Sequence, residues 1–211
     1  MIEIGLYLLL ILSGFLLGGI MFGQALPKFL KGKDVYLESE DHNPGTVNAF
    51  VVGGFWVGSL TLICDFMKGF LPVFIACKFL NTDSFLFSLV VFAPVLGHAL
   101  GIFNHNHGGK CIATTFGVQV ATFYVSWSGL LLAIIYVVFS TIIKISPNRK
   151  RSIITFILFG ILATIYLTVS KNFSLAFGDF LISITVILKH LKYFENHEFK
   201  LPINNFMEIF K

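Results

Sequence analysis

A short polar stretch, Asn104-His105-Asn106-His107-Gly108-Gly109-Lys110-Cys111, separates two apolar runs, and Gly97-His98 closes the run before it. Adjacent glycines let a backbone turn with φ > 0 and aim successive amide N–H groups at one point, and Lys110 adds a full positive charge beside them. That combination suits a phosphate. Two glycines and a lysine carry little specificity by themselves, but a second segment of the same kind, His42-Asn43-Pro44-Gly45-Thr46-Val47-Asn48, also lies between apolar runs.

Other residues invite other chemistry. His98, His105 and His107 include a His-x-His pair, and imidazole suits zinc or copper. No acidic or cysteine ligand stands at a convincing spacing, so no metal site is expected. Cys64, Cys77 and Cys111 form no disulfide framework, and a cytoplasmic thiol stays reduced. Asp65 and Lys68 are three apart inside an apolar run, where a helix puts them on one face as an ion pair that orients the neighbouring loops. Asp179, in another apolar run, has no obvious sequence partner and must face a bundle interior or take up a proton.

These groups need elements to hold them, and the composition says what kind. Of the residues, 56% are hydrophobic and 12% charged, against about 25% charged in a soluble domain. With so few charges the chain cannot cover itself in water. The expectation is an all-α integral membrane protein, with 1–211 as a single transmembrane domain. A crossing helix needs roughly 20 apolar residues. Runs at 4–22, 50–80, 85–103, 112–143, 152–169 and 173–188 meet that length or approach it, and 112–143 suffices for two shorter helices meeting near Ser126–Ser128. The sum is a seven-transmembrane-helix bundle. The first run begins with Glu3 and lacks a cationic leader or a small-residue cleavage site, so it reads as an anchor.

With seven crossings, Lys28, Lys31, Lys33, Lys110, Lys144, Arg149, Lys150, Arg151, Lys189, Lys192, Lys200 and Lys211 fall on one side. Lys78 and Lys171 fall on the other. The positive-inside rule puts the larger set in the cytoplasm, the N-terminus outside and the C-terminus cytoplasmic. Both glycine-bearing segments then face the cytoplasm. Gly14, Gly18, Gly19 and Gly23, and again Gly54 and Gly58, form small-xxx-small faces of the kind that let helices approach closely in lipid. The tail 193–211 is polar with scattered apolar residues, as suits a segment lying along the interface.

The ordered set Asn43-Pro44-Gly45 with Asn48, Asp65-Phe66-Met67-Lys68-Gly69, Gly97-His98, Gly108-Gly109-Lys110 with Ala113-Thr114, and His190 resembles the bacterial membrane-integral acyl-phosphate:glycerol-3-phosphate acyltransferases. The resemblance covers essentially the whole chain. It implies transfer of a fatty acyl group from acyl phosphate to the 1-hydroxyl of glycerol 3-phosphate, giving lysophosphatidate for phospholipid biosynthesis. It also implies a multi-pass protein of the bacterial plasma membrane, whose partners are glycerol 3-phosphate, acyl phosphate and membrane lipid. Neither a cofactor nor nucleic acid is expected. By the same resemblance Lys110, His98 and His190 are the catalytic candidates. Asn43, Gly45, Asn48, His107, Gly108 and Gly109 are the phosphate-binding candidates, and Asp65 and Lys68 orient the site. Acyl phosphate is an activated mixed anhydride, so alignment and stabilisation of the departing phosphate suffice without a serine or cysteine nucleophile.

The chain departs from the family pattern at several positions. Asp41 stands where the family has serine, His42 where it has glycine and Val51 where it has arginine. His107 replaces a lysine, Cys111 replaces a glycine, and the family's closing His-x-x-Asn reads His190-Leu191-Lys192-Tyr193. Losing the arginine removes a bidentate phosphate clamp, and an aspartate would repel a phosphate. Two readings stay open: an acyltransferase whose phosphate site is rebuilt from His105, His107 and Lys110, or a catalytically impaired relative acting as a lipid-binding or assembly module.

Overall fold

Apolar side chains cover the outside of this molecule and polar ones fill parts of its interior. Leu9, Leu12, Ile63, Ile134, Ile161 and Ile165 are exposed, while Thr61, Asp65, Ser88, Gln119 and Asp179 are buried. That distribution inverts the rule for a chain in water. The computed structural model describes residues 2–191, which form helices and connections and, among the described residues, no strand. The tail 193–211 and Lys192, Lys200 and Lys211 lie outside the described residues.

Among the described residues ten α-helices follow in order: α1 (Ile2–Gly19), α2 (Phe22–Lys31), α3 (Val35–Glu38), α4 (Thr46–Gly53), α5 (Phe55–Phe79), α6 (Phe85–Leu100), α7 (Ile112–Ala121), α8 (Ser128–Val137), α9 (Asn148–Val169) and α10 (Phe173–His190). By length and composition four of these, α1, α5, α9 and α10, are able to cross a membrane, and α6 and Ser128–Ile142 are shorter apolar helices.

The run 112–143 divides as its sequence predicts. α7 ends at Ala121, a 3-10 turn spans Thr122–Tyr124, and α8 restarts at Ser128, whose N–H donates to Ser126 Oγ at 3.2 Å. The run 50–80 does not form one helix. Gly54 takes φ +84°, a left-handed value that glycine reaches without steric cost, and splits it into α4 and α5. The polar segment after α1 is likewise no plain loop, since α2 and α3 lie within it.

Glycine sets the closest crossings. A Cβ on Gly97 would collide with the Phe15 carbonyl oxygen and one on Gly18 with that of Pro94, so α1 and α6 cross with their backbones in contact. Gly69 meets the Thr114 carbonyl and Gly117 that of Phe66, which does the same for α5 and α7. Of the predicted small faces, Gly14 and Gly18 serve the α1–α6 crossing. Gly54 is a hinge instead, and Gly58 makes room for the Phe50 ring on α4.

The connections gather at two ends. At one, the Tyr7 hydroxyl donates to the Asn81 carbonyl, Ser174 Oγ donates to the Ser84 carbonyl at 2.7 Å, and Lys78 lies over Tyr124. At the other, α2 to α4, the 101–111 connection, the start of α9 and the end of α10 converge. Asp179 faces inward, where Gln119 Nε2 donates to its Oδ1 at 2.6 Å and Ser128 Oγ donates to Gln119 Oε1 at 3.3 Å.

Candidate functional site

Asp65 lies deepest in the second of these ends. The i, i+3 spacing on α5 puts Lys68 Nζ 2.8 Å from Asp65 Oδ1, with side-chain exposures of 2% and 0%. Thr46, the first residue of α4, donates its hydroxyl to Asp65 Oδ2 at 3.0 Å. Lys68 also donates to the Ile20 carbonyl, just past the end of α1, at 2.6 Å. One buried pair therefore ties α1, α4 and α5 together. Such a pair offsets its desolvation only with further hydrogen bonds to its ions, and here Thr46 adds one to Asp65 and the Ile20 carbonyl takes one from Lys68.

His98, near the C-terminus of α6, comes next. Its Nδ1 stands 3.2 Å from Thr114 Oγ1 and 3.9 Å from Asp65 Oδ1. Its Nε2 lies directly against Gly109, where a Cβ would strike it. The Gly109 N–H donates to the His98 carbonyl at 3.0 Å, so this amide is committed to the end of α6. Gly108 packs against the Ala99 carbonyl. The adjacent glycines thus permit close approach to α6, and positive φ occurs instead at His105, Asn106 and Cys111. That corrects the expected turn geometry.

At the two positions where the resemblance implies a glycine, the backbone itself favours one. His42 has φ 49° and Cys111 φ 65°, both in the left-handed region that costs an L-residue roughly 1–2 kcal/mol. His42 Nδ1 compensates by donating to the Tyr36 carbonyl at 2.8 Å. The Cys111 side chain is buried against the Val95 and Gly109 carbonyls. Burial pushes its thiol up to about 12, with Lys189 and Lys68 offsetting only part. A thiol so protonated is no nucleophile.

Nearer solvent, Lys110 Nζ lies 2.6 Å from Asp41 Oδ2. Asn48 Nδ2 donates to Asp41 Oδ1 at 2.6 Å and to the Asn43 carbonyl at 2.8 Å. Burial pushes the Asp41 carboxyl up, but the Lys110 ammonium and the Asn48 amide outweigh it and hold the group below the usual carboxylate range. The aspartate expected to repel a phosphate thus binds the lysine expected to attract one. Gly45 serves as the N-cap of α4.

His107 faces Tyr36, with the two ring centroids 4.4 Å apart, and with His105, Asn104, Gln24, Lys28 and Tyr36 it lines a cavity of about 570 Å³. His98 points elsewhere, toward Asp65. The three histidines are not brought together, and no group of three or more metal-binding side chains forms among the described residues. Val51, where the resemblance implies an arginine, is exposed on α4, whose last turn receives Lys33 Nζ on the Val52 carbonyl at 2.9 Å.

His190 closes the site from α10. Its Nδ1 is 2.8 Å from the Val186 carbonyl. A carbonyl only accepts, so Nδ1 carries the proton and Nε2 of the neutral ring is the acceptor. Arg149 Nε donates to the His190 carbonyl at 2.6 Å, and the charges of Lys110, Arg149 and Lys189 all bear on the ring. Thr46 and Arg149 are the partners that sequence reasoning did not single out. The signal for Thr46 was its place directly after Asn-Pro-Gly, and Arg149 was visible only as one loop cation among several. The whole is a cation-rich end of a helix bundle, built around one buried carboxylate, and it is suited to anions.

Residues 8–197 match the family model described as glycerol-3-phosphate acyltransferase. A glycerol-3-phosphate acyltransferase of Thermotoga petrophila is 34% identical over 186 residues, 87% of each chain. One of Aliivibrio fischeri is 31% identical over 201 residues, covering 93% of this chain and 96% of that one. Among solved structures, the integral membrane glycerol 3-phosphate acyltransferase PlsY in its glycerol 3-phosphate form superposes with a TM-score of 0.72 at 29% identity, covering 96% of this chain and 92% of that one. Its lysophosphatidic acid form gives 0.70 at 25% identity, over 95% and 98%.

Proposed function

The chain belongs to the glycerol-3-phosphate acyltransferase family, and from that premise we propose that it transfers a fatty acyl group from acyl phosphate to the 1-hydroxyl of glycerol 3-phosphate. The observation that carries this reading is the match over 8–197, which spans every residue of the clustered site. The relatives are acyltransferases, so a purely structural relative is the less favoured reading.

In the proposed reaction the acceptor hydroxyl oxygen attacks the acyl carbon. The carbon–oxygen bond to phosphate breaks, inorganic phosphate leaves, and the hydroxyl proton passes to His190 Nε2, which the Val186 contact leaves free to accept it. Lys110, Asn43, Gly45 and Asn48, with the Gly108 amide and His107, hold phosphate groups, while Gly109, whose N–H is taken by the His98 carbonyl, holds the turn against α6. His98 joins Asp65 and Thr114 to the Gly109 turn and sets its position. Asp65 and Lys68 fix the ends of α1 and α4 around it. Cations converging where charge collects on the departing phosphate lower the barrier electrostatically.

The chain is proposed to cross the bacterial plasma membrane seven times, as one domain over 1–211, with the N-terminus outside and the site cytoplasmic. The uneven spread of lysine and arginine supports this orientation. The Asp41–Lys110 contact supports a common side for the two polar segments.

The test is incubation of the purified protein in detergent with acyl phosphate and labelled glycerol 3-phosphate. Labelled lysophosphatidate with one equivalent of inorganic phosphate is the expected result. Its absence, with substrates intact, overturns the reading.

A further inference from the structure

We propose that Asp41 is an internal competitor for the acceptor's phosphate: its carboxylate occupies Lys110 and Asn48, and glycerol 3-phosphate binds by displacing it. This rests on the reading above, in which Lys110 and Asn48 are phosphate ligands. Both carboxylate oxygens are engaged, Oδ2 by the Lys110 ammonium at 2.6 Å and Oδ1 by the Asn48 amide at 2.6 Å. Two oxygens of one anion, bound to a cation and an amide, present the same acceptor pair as one edge of a phosphate. A phosphate on Lys110 and a carboxylate still in place would repel each other at contact distance, so the two exchange.

The surroundings permit that exchange. Asp41 stands between α3 and α4 beside the left-handed His42, with its side chain 42% exposed and that of Lys110 29% exposed, so the carboxylate has solvent to turn into. Asn48 keeps its second contact, to the Asn43 carbonyl at 2.8 Å, and that contact holds the amide in place for the incoming oxygen. The chain thereby carries its own counter-ion for a lysine that would otherwise stand uncompensated. The consequence is weaker binding of both the substrate phosphate and the product phosphate.

Asp41→Asn and Asp41→Ser remove the competing charge. The Michaelis constant for glycerol 3-phosphate is expected to fall about two- to five-fold, the scale of one partly exposed ion pair, with kcat unchanged or lower. Inhibition by inorganic phosphate should tighten by the same factor. A role confined to holding the loop predicts the reverse, a raised Michaelis constant and weaker phosphate inhibition. Direct titration of inorganic phosphate into the detergent-solubilised proteins gives a second reading that does not depend on turnover. Unchanged or weaker phosphate affinity in both variants overturns the proposal. If wild type makes no lysophosphatidate and Lys110→Ala binds phosphate as wild type does, the underlying site reading falls and the proposal with it. An active wild type, an impaired Lys110→Ala and unaltered Asp41 variants would sink the competitor alone.

Discussion

Asp65 Oδ1 and Lys68 Nζ stand 2.8 Å apart on adjacent turns of α5, both sealed from solvent. Their other contacts reach out of the helix, to the Thr46 hydroxyl and to the Ile20 carbonyl. A charge costs about 2.5–3.5 kcal/mol at the centre of a membrane helix on insertion scales. Here each ion instead meets the other and one further polar group. The pair is thus the joint at which the polar end of the bundle is fixed to its apolar body.

Asp65→Asn leaves Lys68 buried without a counter-charge, and the expected loss is about 3–5 kcal/mol. Asp65→Leu combined with Lys68→Met removes both ions and should recover most of the unfolding temperature while activity stays low. Thermal unfolding in detergent measures both. A single variant as stable as wild type would show that the pair does not hold the joint.

Lys110→Ala is expected to lower kcat/KM for glycerol 3-phosphate about ten- to hundred-fold, the scale of one lost charge-assisted hydrogen bond. His107→Ala should cost less, because that ring lies against Tyr36 and lines the neighbouring cavity. Initial rates over a range of glycerol 3-phosphate concentrations compare the two. A larger effect at His107 would move the phosphate into the cavity it lines.

Gly97→Ala drives a methyl group into the Phe15 carbonyl, which cannot turn aside as a side-chain tip would. The expected cost is about 1–3 kcal/mol from forced separation of α1 and α6. Gly5→Ala, on the same α1, meets open space and should leave the unfolding temperature unchanged or slightly higher. Equal effects of the two would mean that α1 and α6 do not cross in backbone contact.

Much of this arrangement could be read before any coordinates. Composition alone sets the solvent as lipid, and the spacing of Asp65 and Lys68 predicts their pairing. The break near Ser126–Ser128 appears where expected. The hinge at Gly54 was not legible, because an apolar run looks the same whether or not one glycine in it takes φ +84°. Nor was the role of Asp41, since its partner is distant along the chain and a sequence shows charge without contact. The adjacent glycines illustrate the general limit. A glycine that turns the chain and a glycine that lets another helix come near are the same letter, and only the collision of a Cβ with Ala99 or His98 tells them apart.

The Asp41–Lys110 contact has a definite pH signature. The Asp41 carboxyl is held below its usual range in the folded protein, whereas in the unfolded chain it titrates near 3.9, the ordinary value for aspartate. A lowered folded value means that the contact's contribution to stability is complete above the unfolded value and is lost as pH falls through the folded one. The gap in unfolding temperature between wild type and Asp41→Asn should therefore stay constant from about pH 8 to pH 5 and begin to close only near pH 4. Because both side chains are partly exposed, the gap should be small and should shrink in added salt. Thermal unfolding of the two proteins across this range measures it. A gap that changes between pH 6 and 8 would assign the contact to a group titrating near neutrality, and Asp41 would not be the anion on Lys110.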